Sequence, residues 1–136
     1  MSKLEIGVLL HLSGQPEKDI AKVTNLGLRS CQVCTWQPEL WTDDMARRLI
    51  DASRQAGVKM TTVWAGYPGP KVWNFIGGPK TIGLVPRQYR RQRLDVLMQA
   101  ATWAKKLPVN AVIAGRPAPR ARNAGATTSG AIQPPS

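Results

Sequence analysis

The stretch Val58-Lys-Met-Thr-Thr-Val-Trp64-Ala-Gly66-Tyr67-Pro-Gly-Pro70, continuing through Val72-Trp73-Asn74-Phe75 to Gly83-Leu84, decides how this chain folds. Its first eight residues are rich in β-branched and aromatic types. They follow Gly57, which is suited to stop a helix, so positions 58–65 read as a strand. After Ala65 the pattern breaks. Gly66, Pro68, Gly69, Pro70, Gly77, Gly78, Pro79 and Gly83 punctuate a connection of roughly twenty residues, where about 4 to 6 is ordinary. Tyr67, Trp73 and Phe75 give this segment apolar mass to pack down on something, which a polar linker would not need. Two roles fit: an Ω-loop filled by its own aromatics, or a wall or lid over a small-molecule site.

Upstream of this strand the plan repeats. Leu4 to Leu12 is nearly continuous in apolar residues, the pattern of a strand buried on both faces of a parallel sheet. Ser13-Gly14-Gln15-Pro16 opens a helix in which Ile20, Val23 and Leu26 recur at helical spacing, and Gly27 stops it. Cys31 to Trp36 is a second strand. Thr42-Asp43-Asp44 caps a helix running to Ala56 with Met45, Leu49, Ile50 and Ala52 or Ser53 inward. Downstream, Val85-Pro86 opens a helix to about Lys106 with Leu94, Leu97, Met98, Ala101 and Ala104 or Lys105 on its inner face. Pro108 breaks it, and 109–113 is short and apolar, as a fourth strand would be. The order β-α-β-α-β-α-β with right-handed crossovers predicts one parallel sheet with helices outside. Connections from helix to strand are short and those from strand to helix lengthen, so the site is expected at the carboxyl ends of the strands.

Composition narrows the classes. The chain has 136 residues and is 43% hydrophobic, enough for one modest domain but too short for a complete eight-unit barrel. No apolar run approaches the ~18 residues of a membrane span and no secretory pattern opens the chain, so a cytoplasmic protein without a membrane partner is expected. Cys31 and Cys34 lie three apart in a strand and point to opposite faces, so they cannot readily share a disulfide or a metal. They read as small core-compatible residues. The formal charge is +11; of 19 Lys and Arg, Arg116, Arg120 and Arg122 follow Gly115, leaving 16 against 8 acids before it. The one dense run, Arg87, Arg90, Arg91 and Arg93, lies on the last helix with Tyr89 interleaved and no nucleic-acid reader motif beside it. It reads as a solvated helical face, and nucleic acid is not the partner it points to.

With this order of elements, Ile6-Gly7-Val8-Leu9, Trp64-Ala-Gly-Tyr-Pro-Gly-Pro70, Val72-Trp73-Asn74-Phe75 and Thr81-Ile-Gly-Leu-Val-Pro86 make residues 3–113 resemble the amino-terminal half of the sugar phosphate isomerase/epimerase family. This is the xylose-isomerase-like group of TIM barrels, which also has an endonuclease branch acting at abasic sites. The resemblance implies a partial TIM barrel of four parallel strands alternating with three helices. It also implies an isomerase or epimerase of a small sugar or sugar phosphate working by metal-assisted proton transfer. The alternative is a nucleic-acid-binding protein related to the endonuclease branch. His11, Trp36, Trp64, Gly66, Tyr67 and Trp73 are the substrate-binding candidates: aromatic faces suit the apolar side of a sugar, and an imidazole can hydrogen-bond a hydroxyl. A single His between Leu10 and Leu12 is more often structural than catalytic, and Trp36 has the alternative role of a plug at the top of the barrel. Gly66 would allow close backbone approach beside Trp64.

The departures from the family pattern matter as much. Full-length relatives are expected to hold a divalent metal (Mn, Mg, Co or Zn) with Glu, Asp and His from the second half of the barrel. That half is not in this sequence, so no catalytic and no metal residue is assigned. A truncated, weakly active or inactive enzyme is expected. From Gly115 to Ser136 there is no acid or aromatic residue and only Ile132 as a sizeable aliphatic, which predicts a disordered tail separate from a 1–114 domain. The abrupt change looks like translation in another reading frame, with a natural flexible tail as the alternative. Four parallel strands leave two open edges and an uncovered face, predicting marginal stability, aggregation or self-association through the open barrel edge.

Overall fold

The computed structural model describes residues 4–114; the tail expected over 115–136 lies outside them. β1 (Val8–His11), β2 (Ser30–Thr35), β3 (Lys59–Ala65) and β4 (Ala111–Ala114) form one sheet in sequence order, with every pair parallel. The crossovers are α1 (Pro16–Asn25), α2 (Asp43–Ala56) and α4 (Arg87–Ala104). A 3-10 turn (Pro38–Leu40) precedes α2, and a single turn of helix, α3 (Gly78–Thr81), interrupts the long connection before α4.

Local chemistry sets the helix ends. Thr42 Oγ1 accepts from the Met45 N–H at 3.1 Å and caps α2, whose first turn is acidic. Gly57 at φ 63° terminates it, a backbone conformation that costs an L side chain about 1 kcal/mol or more. At the start of α1, buried Asp19 accepts from the backbone N–H and hydroxyl of Ser13 and from Lys22, which fixes the turn out of β1. Arg48 of α2 forks onto Glu17 of α1 at 2.8 and 2.7 Å, tying the two helices on the surface.

The core fills only the helix-covered side of the sheet. The register row Leu10–Val33–Val63–Val112 and the row Val8–Cys31–Met60 face it, and Ile20, Val23, Leu49, Val58 and Trp103 pack against them. The Trp103 indole N–H donates to the Thr42 carbonyl at 2.8 Å, so α4 is anchored at the cap of α2. Residues of the intervening register positions lie on the opposite face, which no helix among the described residues covers.

Three expectations need correction. β1 is covered on one face only: Ile6 lies outside the strand and Leu9 is 38% exposed, because the second face opens toward what would be the barrel interior. Along α4 the buried residues are Arg93, Ala100, Trp103 and Ala104, not Leu94 and Met98, which are exposed. Apolar spacing reads one face too far round, since the phase is set by the seat of Trp103 and by an arginine. At the end of α1, Leu26 is exposed and Leu28 packs in its place.

Candidate functional site

Strand register assembles part of the expected site. His11, Cys34, Trp64 and Ile113 are successive Cα partners across β1, β2, β3 and β4, so they form one row on the helix-free face at the carboxyl ends of the strands. Adjacent strands lie about 4.8 Å apart, so His11 and Trp64 stand one strand on either side of Cys34. His11 is exposed, Trp64 half-buried and Cys34 buried. The Trp64 indole N–H is shielded from solvent and meets no acceptor among the described residues.

Cys34 is the member of this row that sequence reasoning missed as a site residue, having placed it as core-compatible packing. Alternation does separate it from Cys31: Cys31 belongs to the helix-side core, and Cys34 does not. Burial pushes both thiols up to about 11, which leaves them neutral and poor nucleophiles at neutral pH.

The rim above the row is built by a close approach. The Gly66 N–H donates to the Thr35 carbonyl at 3.0 Å, and a β-carbon on Gly66 would lie 2.5 Å from that oxygen and 2.7 Å from the Trp36 backbone and ring. Only glycine lets the end of β3 lie against the end of β2 here. Trp36 consequently meets Tyr67 edge-on, with centroids 5.3 Å apart at 79°, and the Lys71 ammonium sits 4.8 Å from the Trp36 ring centre. The sequence carried no signal for Lys71, which depends on the path of the loop.

That path is set by Arg93, only 1% exposed on α4. Its guanidinium donates to the carbonyls of Pro68, Pro70, Thr81 and Gly83 at 2.6 to 3.1 Å and lies against the Tyr67 and Tyr89 rings. Arg90 donates to the Leu84 and Val85 carbonyls. Two members of the run read as a solvated basic face therefore hold the loop down, leaving Arg87 and Arg91 as its outward-facing charges. The loop's other aromatics do not do what was expected of them. Trp73 is 59% exposed and Phe75 fully exposed, so only Tyr67 packs, and Trp73 is not brought to the row of Trp64. Asn74 Oδ1 accepts from the Ile76 and Gly77 N–H groups, and this tight turn carries the flanking aromatics outward.

Among the described residues the space beside this row is small or open. A cavity of only about 10 Å³ lies under the loop, between Gly66, Tyr67, Arg93 and Ala114, while one of about 410 Å³ lies at the other end of the sheet beside Gly7, Ser30 and Gln32. Among the described residues nothing stands opposite the candidate row to enclose it. For a metal ion the donors present do not fit. Among the described residues no group of three His, Cys, Asp or Glu converges, His11 is the lone imidazole, and the carboxylates lie largely on or beside α1, α2 and α4. No described helix is long and apolar enough to cross a membrane.

No family model and no curated protein matches the sequence. Among solved structures, the xylose isomerase domain protein from Planctomyces limnophilus is similar over 79% of this chain, with a TM-score of 0.68 and 20% identity. The chain spans 39% of that protein's length. An incomplete set of barrel strands with helices on one side, bare on the other and superposable on part of a longer chain, has one architectural reading: this chain carries part of the xylose-isomerase-like TIM-barrel fold.

Proposed function

We propose that the carboxyl ends of β1 to β3 form the sugar-facing wall of an isomerase or epimerase site, and that this chain binds and orients a small sugar or sugar phosphate. The reading rests on the row His11–Cys34–Trp64, with the unpaired Trp64 indole N–H as a donor for a hydroxyl. Trp36 offers an aromatic surface at the rim, held by the buried Tyr67 ring beside it, His11 a second polar contact, and Lys71 a cation for an anionic substituent. The proton transfer and the divalent ion that the family resemblance implies need donors that the described residues do not fit. What this chain's own residues do is hold the substrate's hydroxyls and shield one side of it.

Tryptophan fluorescence titration with small polyols, ketoses and their phosphates tests this. Contacts from one wall support affinity at the millimolar level, about 4 kcal/mol. Trp64→Phe should abolish the response and Trp73→Phe should leave it intact. No change in wild-type emission with any of these ligands, or a full response in Trp64→Phe, rejects the reading.

A further inference from the structure

We propose that the tip of the connection between β3 and α4, Val72 to Ile76, anchors this chain to the surface of an anionic lipid bilayer. Val72, Trp73, Phe75 and Ile76 are exposed among the described residues, Ile76 to 83% and Phe75 fully. Scattered apolar residues on a surface are ordinary, but four within five consecutive positions form a patch of the kind that meets a partner.

The tip is built to present them. Asn74 Oδ1 accepts from the Ile76 and Gly77 N–H groups at 3.1 and 2.6 Å, and the Asn74 carbonyl accepts from the Gly78 N–H at 2.9 Å. Thr81 Oγ1 accepts from the Val72 N–H and donates to the Gly77 carbonyl, both at 2.9 Å, which closes the base. A β-carbon on Gly77 would lie 2.9 Å from Val72 Cγ1, so the two sides of the tip touch. These backbone groups are satisfied from within, and the apolar side chains can leave water without stranding them. Below the tip, Arg93 holds the Pro70 and Thr81 carbonyls and fixes it to α4.

Charge points to the occupant. From Ala52 to Leu94 there is no Asp or Glu, while seven of the chain's eight acids lie at or before Asp51. Lys71 and Lys80 flank the tip in sequence, and Arg87, Arg90 and Arg91 stand on the first turns of the helix that holds it. Asp95, the first acid after them, lies 3.8 Å from Arg91. An anionic bilayer meets both halves of this pattern, since its headgroups attract the cations and its acyl boundary takes the apolar side chains, indole included. A single-stranded nucleic acid would stack on Trp73 and Phe75 but has nothing for Val72 and Ile76. The expectation of no membrane partner rested on the lack of a spanning run, which a surface anchor does not need.

The inference does not rest on the sugar site. In flotation, the 136-residue chain should bind vesicles of phosphatidylcholine and phosphatidylserine in equal parts, less so as salt is added, and bind phosphatidylcholine alone at least about 100-fold more weakly. Charge by itself would give that much, so insertion is read separately. Phosphatidylcholine brominated on its acyl chains, mixed with phosphatidylserine, should quench the wild-type emission. Trp73→Phe should still bind but lose most of that quenching. Phe75→Ser with Ile76→Ser, at exposed positions where circular dichroism should show the fold kept, should weaken binding by at least about 10-fold. Binding without quenching, or binding indifferent to the paired serine substitutions, overturns the proposal. So does an indole at position 73 already shielded from acrylamide in the lipid-free protein, whether by a second copy or by another part of the chain. Quenching of Trp73 by a single-stranded oligonucleotide, with vesicles left unbound, overturns it as well.

Discussion

The Arg93 guanidinium lies over the Tyr67 ring, its central carbon 4.4 Å from the ring centroid, while the Tyr67 hydroxyl accepts from the Gly83 N–H at 3.0 Å. The two side chains together close both ends of the connection between β3 and α4, one through its carbonyls and one through an amide. Among the described residues the partners of this buried cation are carbonyl oxygens and ring faces, which replace its hydration without a carboxylate. Arg93→Met should therefore lower stability by about 3 to 5 kcal/mol and open the loop to cleavage at Lys71 and Lys80. Arg93→Lys, with one ammonium in place of a fork, should restore only part of it. Arg91→Met on the exposed side of the same helix should change stability by less than about 0.5 kcal/mol. Urea melts and timed trypsin digestion read all three.

Gly66→Ala tests the close approach at the rim. The added methyl has backbone, the Thr35 carbonyl and Trp36 Cα, within 2.7 Å and cannot be accommodated by a side-chain rotation. A loss of about 1 to 3 kcal/mol is expected, with a change in Trp36 emission as the rim shifts. Unchanged stability and emission would show that β2 and β3 part easily at this end.

Trp103→Phe separates packing from hydrogen bonding in the core. Phenylalanine keeps much of the buried ring but loses the hydrogen bond to the Thr42 carbonyl, which still accepts from the Ala46 N–H, so a cost of about 0.5 to 1.5 kcal/mol is expected, against about 3 to 5 for Trp103→Ala. Neither change touches the row of Trp64, and neither should alter a sugar response in the protein that remains folded.

The cysteines predict a loss of stability in alkali. Burial raises both folded-state thiols from 9.0 to about 11, so above pH 9 the unfolded chain releases protons that the folded chain retains. Stability from this source is complete below pH 9 and falls as pH rises toward 11, by on the order of 2 kcal/mol per thiol. Urea midpoints at pH 8 and pH 10.5 should differ more in wild type than in Cys31→Ala, Cys34→Ala. An equal pH dependence in the two proteins would show that the thiols are not responsible.

The sequence by itself determined the order of elements, their parallel arrangement and the end of the sheet at which to look. Apolar runs, Thr42, Gly57 and Pro108 act over a few residues, and the short connections leave little freedom in how successive units lie. Period-two alternation also placed Cys31 and Cys34 on opposite faces. Only the tertiary structure decided which side chains share a surface. His11, Cys34 and Trp64 are neighbours through register between strands, a relation between residues 23 to 53 positions apart that no local pattern encodes. Arg93 looked like one more charge on a basic helix, and Trp73 like one more aromatic in a loop. Their exchange of expected places follows from solvation: four converging carbonyls can substitute for water around a guanidinium, whereas Trp73 is carried outward by the turn around Asn74 and stays exposed among the described residues.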